Sequence, residues 1–328
     1  MQTLMTRGRM SDVPPAPHWF TLHIHVSGSG GTSMCQLAKR NGQRVPVHNC
    51  ELPGKTHHEW RRLLKGHREE ADSRSCDGLR KLAREHGTRG PHRAAFTFGM
   101  AESPAPHWMG CAGVRYTFLM VEPVRRILTA AYQSCTTRQP NNSHAWWIPP
   151  WCDPVALLRA SYARPWAVTP DREKGDSLHI GFAYWQTPLV SELNVRSLLD
   201  RETFLAPLGA LNATHLERAK RRLSTFALAS ALSRDLPPVP VAAALGWHGA
   251  LPAHAQYGYH HETKPLVHRA LEAVPAAAVA LVREHNPFDV ALYEWLRSSP
   301  PAARTGPAHG TKGTEKPRPE RDAWSSAW

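Results

Sequence analysis

A chain of 328 residues with 41% hydrophobic side chains can bury one substantial core, and we expect a single domain over residues 19–298. Its formal net charge of +13 attracts polyanions such as nucleic acids, sulfated or carboxylated glycans and phosphorylated cofactors. No zinc-finger, RNA-recognition or homeodomain pattern is present, so a nucleic-acid partner is not expected.

The two ends of the chain differ in composition from its middle. Residues 1–18 contain no apolar run of the kind found in signal peptides, and we interpret them as a flexible N-terminus. Nowhere do about 18 consecutive apolar residues occur, so no transmembrane segment is expected. Residues 299–328 combine proline, glycine and charge with almost no aliphatic side chains, which predicts a disordered tail.

The first predicted elements are a strand, a glycine-rich turn and a helix. One face of the strand WFTLHIHV carries Phe20, Leu22, Ile24 and Val26. The turn SGSGGTS follows it, and TSMCQLAKRNG is typical of a helix with a C-terminal stop at Asn41-Gly42. A glycine turn between a strand and a helix presents backbone N–H groups beside the positive end of the helix dipole, which favours phosphate binding.

The glycine turn also contains hydroxyl side chains. The residues available to an anion are Gly28, Gly30 and Gly31 for close backbone approach, and Ser29, Thr32 and Ser33 for hydrogen bonds. The pattern differs from the ATPase P-loop because no lysine and hydroxyl residue follow the glycines. It also differs from the dinucleotide-binding pattern G-x-G-x-x-G, because a serine stands where the third glycine belongs.

Later segments continue the alternation of strands and helices. Residues 43–54 contain a short possible strand, and THHEWRRLLKGHREEADS is typical of a helix. HRAAFTFGM and VRYTFLMV predict strands, and EPVRRILTAAYQSC predicts a helix with proline in its first turn. Repeated βα units favour a parallel sheet, so we expect an α/β, P-loop-like three-layer fold with a central, mainly parallel sheet flanked by helices.

The second half of the chain is less regular. We interpret the Trp- and Pro-rich stretch from NNSHAWWIPPWCDPV to about residue 185 as an irregular insertion on the substrate side. Residues 213–235 predict a helix followed by a short segment, and its apolar stripe consists of Leu216, Ala219, Leu223 and Phe226. The last helix is expected over about 287–298, with Asn286 as its cap and Pro287 at its first position.

The cysteines and histidines do not indicate a metal site. The six cysteines contain no C-x-x-C pair, so a zinc site is not expected, and their spacing leaves reduced thiols and disulfides equally open. The 20 histidines include no H-E-x-x-H arrangement. No G-x-S-x-G turn is present either, which argues against a lipase-type serine nucleophile.

The glycine turn resembles the first motif of the PAPS-dependent carbohydrate sulfotransferases of the heparan and chondroitin type, roughly H-x-P-K-[ST]-G-G-T-[ST]. Here HVSGSGGTS matches at His25 and at residues 29–33. The second family motif, roughly R-[DE]-P-x-x-R-x-x-S-x-Y, is similar to VEPVRRILTAAY at Glu122, Pro123, Arg126 and Thr129. Two later stretches, ELNVRSLLDRETF with HLERAKRRLSTFALASAL, and REHNPFDVALYEWL, also resemble the family, so that the similarity runs from residue 20 to residue 297.

The resemblance implies that the chain transfers a sulfuryl group from 3′-phosphoadenosine 5′-phosphosulfate (PAPS) to a glycan hydroxyl without a metal. It implies that residues 28–33 hold the 5′-phosphosulfate and that Arg125, Arg126 and Thr129 hold the 3′-phosphate. The lysine of the first motif falls on Gly28 and the leading arginine of the second on Val121, and we expect Arg125 and Arg126 to substitute for them. The resemblance also implies residence in the Golgi lumen, although no anchor is visible.

Sulfuryl transfer needs a base that accepts the proton of the acceptor hydroxyl, as phosphoryl transfer does. In the resembling family this residue often lies at the end of a central strand, which here corresponds to AAFTFGMAESPAPH. Glu102 is the first candidate for the catalytic base, followed by His107 and His92.

Two other functions remain open. The missing lysine and arginine suggest a binding protein that retains the fold without the activity. A nucleotide kinase or another phosphoryl-transfer enzyme could use the same loop, and dependence on Mg²⁺ would favour it.

Overall fold

The computed structural model describes residues 18–26, 28–46, 50–52, 76–89, 95–102, 110–135, 137–138, 146–147, 153–163, 191–200, 202–203, 206–233, 236, 239–251 and 271–298. In chain order, the elements are β1 (Phe20–His25), α1 (Gly31–Arg40), α2 (Cys76–Arg89), β2 (Phe98–Glu102), β3 (Val114–Val121), α3 (Pro123–Cys135), β4 (Thr137–Arg138), β5 (Trp146–Trp147), α4 (Pro154–Ala163), α5 (Leu193–Ser197), α6 (Ala213–Leu223), β6 (Leu228–Leu232), β7 (Val239–Pro240), α7 (Ala242–Leu245), β8 (Ala250–Leu251), α8 (Ala276–His285) and α9 (Pro287–Ser298).

The centre of the fold is a four-stranded sheet in the order β2-β1-β3-β6. Every pair of neighbouring strands in this sheet is parallel. The short strand expected within residues 43–54 appears as a single parallel bridge between Glu51 and Met100, on the side of β2 away from β1. Parallel pairing requires crossover connections, and the helices supply them. The α/β fold with a parallel sheet is therefore confirmed.

Both faces of the sheet are buried, because helices cover each of them. On one face, Phe20, Leu22 and Ile24 of β1 pack into a core with side chains of α2, α5, α6 and α9, as the pattern of alternate residues predicts. On the other face, Met34 and Leu37 of α1 pack with β2, β3, β6 and the region around α7. The arrangement has three layers, helix, sheet and helix.

The predicted boundaries of the first helix are confirmed, whereas α6 is shorter than its apolar stripe suggested. Helix α1 ends at Arg40, and Gly42 then adopts a left-handed φ of 69°. Helix α6 ends at Leu223, because the hydroxyls of Ser224 and Thr225 donate to the carbonyls of Arg221 and Arg222. The short segment expected after it is strand β6.

The middle of the chain is more regular than its sequence suggested. The irregular insertion expected there contains β5 and the ten-residue helix α4, so that expectation is wrong for these residues. Leu158 of α4 packs against Ile127 of α3 and Val282 of α8 in a third core cluster. Helix packing against α3, rather than against the sheet, gives this region its structure. The predicted helix that follows residue 55 and the tail at 299–328 lie outside the described residues, as does the N-terminal segment before His18.

Two disulfides connect elements around the sheet. Cys35 of α1 is bonded to Cys50, next to the bridge at Glu51, and Cys76 at the start of α2 is bonded to Cys111 in the turn before β3. These four cysteines are therefore oxidised, which the sequence spacing had left open. In the part of the chain that the structure describes, no helix combines the length and the apolar character needed to cross a bilayer.

Candidate anion-binding site

The carboxyl ends of β1 and β3 meet at the topological switch point of the sheet. From β1 the chain moves to the β2 side, where Glu51 pairs, and from β3 it moves to the β6 side. In open α/β sheets, ligands bind in the crevice at such a point. The two segments that enter it are the glycine turn before α1 and the start of α3, which are the two predicted motifs.

The glycine turn adopts a conformation that its glycines permit. The backbone N–H of Ser29 donates to the carbonyl of Val26 at 2.9 Å, and Gly28 and Gly30 have φ angles of 81° and 84°. Both angles lie in the left-handed region, where a side chain is strained. Helix α1 then begins at Gly31, so the N–H groups of its first turn have no carbonyl partner within the helix. They are available to an anion.

Two buried hydroxyls of the same turn contribute further polar groups. Ser29 is fully buried and Ser33 is 6% exposed, and neither hydroxyl makes a hydrogen bond to any residue that the structure describes. Thr32, between them in the first turn of α1, is half-buried. Buried polar groups are normally paired, and a bound anion would accept hydrogen bonds from these hydroxyls. The glycine turn therefore combines backbone and side-chain donors.

His25, the last residue of β1, lies directly against Gly31. A Cβ atom built on Gly31 would collide with the His25 imidazole. Burial lowers the pKa of His25 to about 4 and that of His23, whose ring stacks on it at 5.9 Å, to about 3, so both rings are neutral at pH 7. The sequence matched His25 to a motif without assigning it to the site, and its contact with Gly31 was visible only in the structure.

Glu102, the first candidate for the base, ends β2 at the same edge of the sheet. Its backbone is in register with that of His25. The side chain of Glu102 and the whole of His107 and His92 lie outside what the structure describes. The choice of base therefore stays a prediction.

The second predicted motif forms the first two turns of α3. A carboxylate oxygen of Glu122 accepts a hydrogen bond from the backbone N–H of Arg125 at 2.6 Å and caps the helix. The Thr129 hydroxyl donates to the carbonyl of Arg125 at 2.7 Å. Arg125 and Thr129 are both half-buried. Thr129 must redirect this hydrogen bond before it can donate to a phosphate.

Arg126 brings the two motifs into contact. A Cβ atom on Gly28 would lie 3.4 Å from Cγ of Arg126, so the arginine stem packs beside the glycine turn. Arg126 is only 3% exposed, and its Nη2 lies 4.0 Å from Oδ2 of Asp289. Burial lowers the pKa of Arg126, and the neighbouring Asp289, Tyr162 and Glu122 oppose this effect. The guanidinium is therefore a buried charge next to the loop.

Asp289 belongs to a buried polar cluster that sequence reasoning missed. Its carboxylate accepts hydrogen bonds from the side-chain and backbone N–H groups of Asn194, at 2.7 and 3.1 Å, and from the backbone N–H of Val195 at 2.9 Å. It thereby caps the N-terminus of α5. In return, the carboxylate of Glu192, which precedes α5, accepts from the backbone N–H groups of Phe288 and Asp289 and caps α9.

Asn286 joins this cluster in a role other than the predicted one. Helix α9 begins at Pro287 as expected, but the Asn286 side chain does not cap it. Its Oδ1 accepts from the backbone N–H of Glu192 at 2.9 Å, and its Nδ2 donates to the Tyr162 hydroxyl and to the carbonyl of Val282. The spacing of Asn286 and Asp289 is a capping pattern, so the sequence signalled a cap without showing which helix it serves.

The charges in this cluster influence one another. Burial, followed by the nearby Asp289, raises the pKa of Glu192 to about 8. Burial also raises the pKa of Asp289, while Arg126 opposes this shift. Arg196 acts on Glu192 electrostatically and opposes the rise of its pKa. The Arg196 guanidinium donates to the backbone carbonyls of Ser191, Thr203, Ala206 and Pro207.

The described residues contain no group of three or more His, Cys, Asp or Glu side chains that could hold a metal ion. Comparison with models of protein families, with curated proteins and with solved structures finds no match to this chain.

Proposed function

We propose that the chain is a sulfotransferase that moves a sulfuryl group from PAPS to a hydroxyl of a carbohydrate acceptor. The observation that carries the proposal is the contact between Gly28 and Arg126. It joins two segments that are distant in sequence, and each of them resembles a different donor-binding motif of the carbohydrate sulfotransferases. Their meeting at the switch point of a parallel sheet supports the proposal, because nucleotides bind at such points in open α/β sheets.

In this proposal the glycine turn binds the 5′-phosphosulfate. The N–H groups at the start of α1 and the hydroxyls of Ser29, Thr32 and Ser33 donate hydrogen bonds to its oxygens. Arg125 and Thr129, half-buried in the first two turns of α3, bind the 3′-phosphate once Thr129 releases the carbonyl of Arg125. Arg126 is buried behind the turn and acts on the donor through its charge rather than by contact.

In the transfer step, the acceptor oxygen forms a bond to sulfur while the bond between sulfur and the bridging phosphate oxygen breaks. The hydroxyl proton passes to the base, for which Glu102 is the candidate, and 3′-phosphoadenosine 5′-phosphate leaves. Positioning and stabilisation of the transferred group's charge dominate such reactions. The net charge of +13 suits an anionic glycan as the acceptor.

The two disulfides fit the compartment that the resemblance implies. Disulfides persist in oxidising compartments, which include the secretory pathway, and are rare in the cytosol. Cys35–Cys50 and Cys76–Cys111 both connect elements of the sheet core. They support residence in the Golgi lumen.

A binding protein without turnover is the second candidate, because the glycine turn itself contains no cationic side chain. The decisive measurement is calorimetric binding of 3′-phosphoadenosine 5′-phosphate, with ATP in the same buffer as the competitor. We expect selective binding of the 3′-phosphorylated nucleotide, and sulfuryl transfer to a glycan in a separate assay. Binding without transfer would favour the second candidate, and preference for ATP with Mg²⁺ would favour a kinase.

A matched pair of glycine variants tests where the nucleotide binds. Gly28 and Gly209 are both exposed and have similar φ angles of 81° and 77°, so alanine strains the backbone equally at the two positions. Gly28→Ala should weaken binding of 3′-phosphoadenosine 5′-phosphate by at least about tenfold, because alanine strains the left-handed backbone of the turn that would hold the anion and its methyl group meets the Arg126 stem. Gly209→Ala should leave the affinity unchanged. Equal effects of the two variants would place the nucleotide elsewhere.

A further inference from the structure

The glycine turn lacks a cationic side chain of its own, yet a buried cation lies behind it. Residues 26–33 include no lysine or arginine. Arg126 packs its stem beside Gly28 and is 3% exposed, so its guanidinium is shielded from water. A buried charge is screened much less than a charge in water, and it therefore acts over a longer distance.

The carboxylate of Asp289 opposes the positive charge of Arg126. Its Oδ2 lies 4.0 Å from Nη2 of Arg126, and the Glu122 carboxylate also acts on the same guanidinium. The hydrogen bonds that Asp289 accepts from three N–H groups of Asn194 and Val195 favour its carboxylate form, as Arg126 does, and they oppose burial, which raises its pKa.

We propose that the buried pair of Arg126 and Asp289 sets the affinity of the glycine turn for its anion, with Arg126 attracting the anion from behind the turn and Asp289 limiting that attraction. Both act as positioning residues, since neither touches the donor. The inference rests on the proposed function for the identity of the anion, the phosphosulfate of PAPS. The charge itself acts on any phosphate or sulfate bound at the turn.

This proposal predicts changes of opposite sign at the two residues. Arg126→Met removes the attraction and should weaken binding of 3′-phosphoadenosine 5′-phosphate by about tenfold, the order expected for one poorly screened charge near the ligand. Asp289→Asn removes the opposing charge and should tighten binding by a similar factor. In the double variant the two effects should cancel, which leaves the affinity close to that of the native chain. A merely structural role would instead make both single variants bind more weakly.

Glu122→Gln is a milder variant that tests the same inference if Asp289→Asn fails to fold. Glu122 is half-buried, and Gln at this position keeps an amide oxygen that can still cap α3. Glu122→Gln should tighten binding about threefold. The matched control is Asp153→Asn, because Asp153 also caps a helix, by accepting from the N–H of Val155 at 2.8 Å, and does not act on Arg126. The affinity of Asp153→Asn for 3′-phosphoadenosine 5′-phosphate should equal that of the native chain.

Calorimetry at pH 7, at low and at physiological salt, measures the affinity of these variants for the nucleotide and so tests the inference. Tighter binding in Asp289→Asn supports the inference, and weaker or unchanged binding overturns it. Where Asp289→Asn does not fold, the same two outcomes in Glu122→Gln decide it. If the native chain prefers ATP, the proposed function fails, and the signs measured with ATP still decide the inference. If it binds neither nucleotide nor inorganic phosphate, both proposals are wrong.

Discussion

Glu192 lies just before α5 and Asp289 lies in the first turn of α9, and the carboxylate of each residue caps the other residue's helix. Glu192 accepts from the first backbone N–H groups of α9, and Asp289 accepts from those of α5, across a sequence separation of 97 residues. Two carboxylates buried together are costly unless one of them is protonated. The pair therefore links the protonation state of Glu192 to the stability of the fold.

Stability should fall as the pH rises from about 4.5 to about 8. The pKa of Glu192 is raised from 4.5 to about 8 in the folded chain, so over this range the folded state keeps a proton that the unfolded state has lost. The free energy of unfolding then decreases with pH, by at most about 1.4 kcal/mol per pH unit for one proton. Urea unfolding at pH 5, 6, 7 and 8 measures this slope.

Two variants identify the origin of that slope. Glu192→Gln should reduce it, because the amide does not titrate, whereas Asp289, whose pKa burial also raises, remains. Glu217→Gln, which removes an exposed carboxylate paired with Lys220, should leave the slope as it is in the native chain. A native chain that becomes more stable between pH 5 and 8 would mean that Glu192 is ionised in the fold.

Gly31 should be required because His25 occupies the space of a side chain. Gly31→Ala places a methyl group where the half-buried imidazole lies and should cost about 1–3 kcal/mol. In a His25→Ala background the same substitution should be neutral or stabilising, because alanine favours a helix more than glycine does. A double-mutant cycle by chemical denaturation measures the coupling. An equal cost in both backgrounds would show that His25 is not the cause.

The elements that sequence patterns predicted correctly are those whose signals are local. The apolar alternation of β1, the glycines that follow it and the Asn41-Gly42 stop together specify one βα unit, and the structure contains it. The proline in the first turn of α3 likewise marked a correct boundary. In each case the residues that determine the element are its own or its neighbours.

The parts that could not be predicted depend on distant partners. Helix α4 is stabilised by packing on α3 and α8, and its own sequence is apolar without a clear stripe. Glu192 and Asp289 cap each other's helices only because the N-termini of α5 and α9 meet. The sequence does not show that contact. Neither Arg126 nor Asp289 could be identified as buried, because the contact that buries them joins segments far apart in the chain.

Each disulfide should stabilise the fold by several kcal/mol. Cys35–Cys50 closes a separation of 15 residues and Cys76–Cys111 one of 35 residues, for which loop-closure entropy gives about 3 and 4 kcal/mol. The variants Cys50→Ala and Cys76→Ala, unfolded in urea with and without a reductant, test the two bonds separately. A variant that lacks one bond should lose further stability when the other is reduced. No change on reduction of the native chain would contradict the prediction.

Glu102→Gln should separate binding from turnover. Glu102 ends β2 in register with His25 at the edge of the sheet that carries the glycine turn. If it accepts the acceptor's proton, the amide should lower kcat by about 10²–10⁴ while the affinity for 3′-phosphoadenosine 5′-phosphate changes less than about twofold. The control is Glu51→Gln, which removes a carboxylate near the same edge and should retain turnover. Normal turnover in Glu102→Gln, with loss in His107→Ala, would move the role of base to His107.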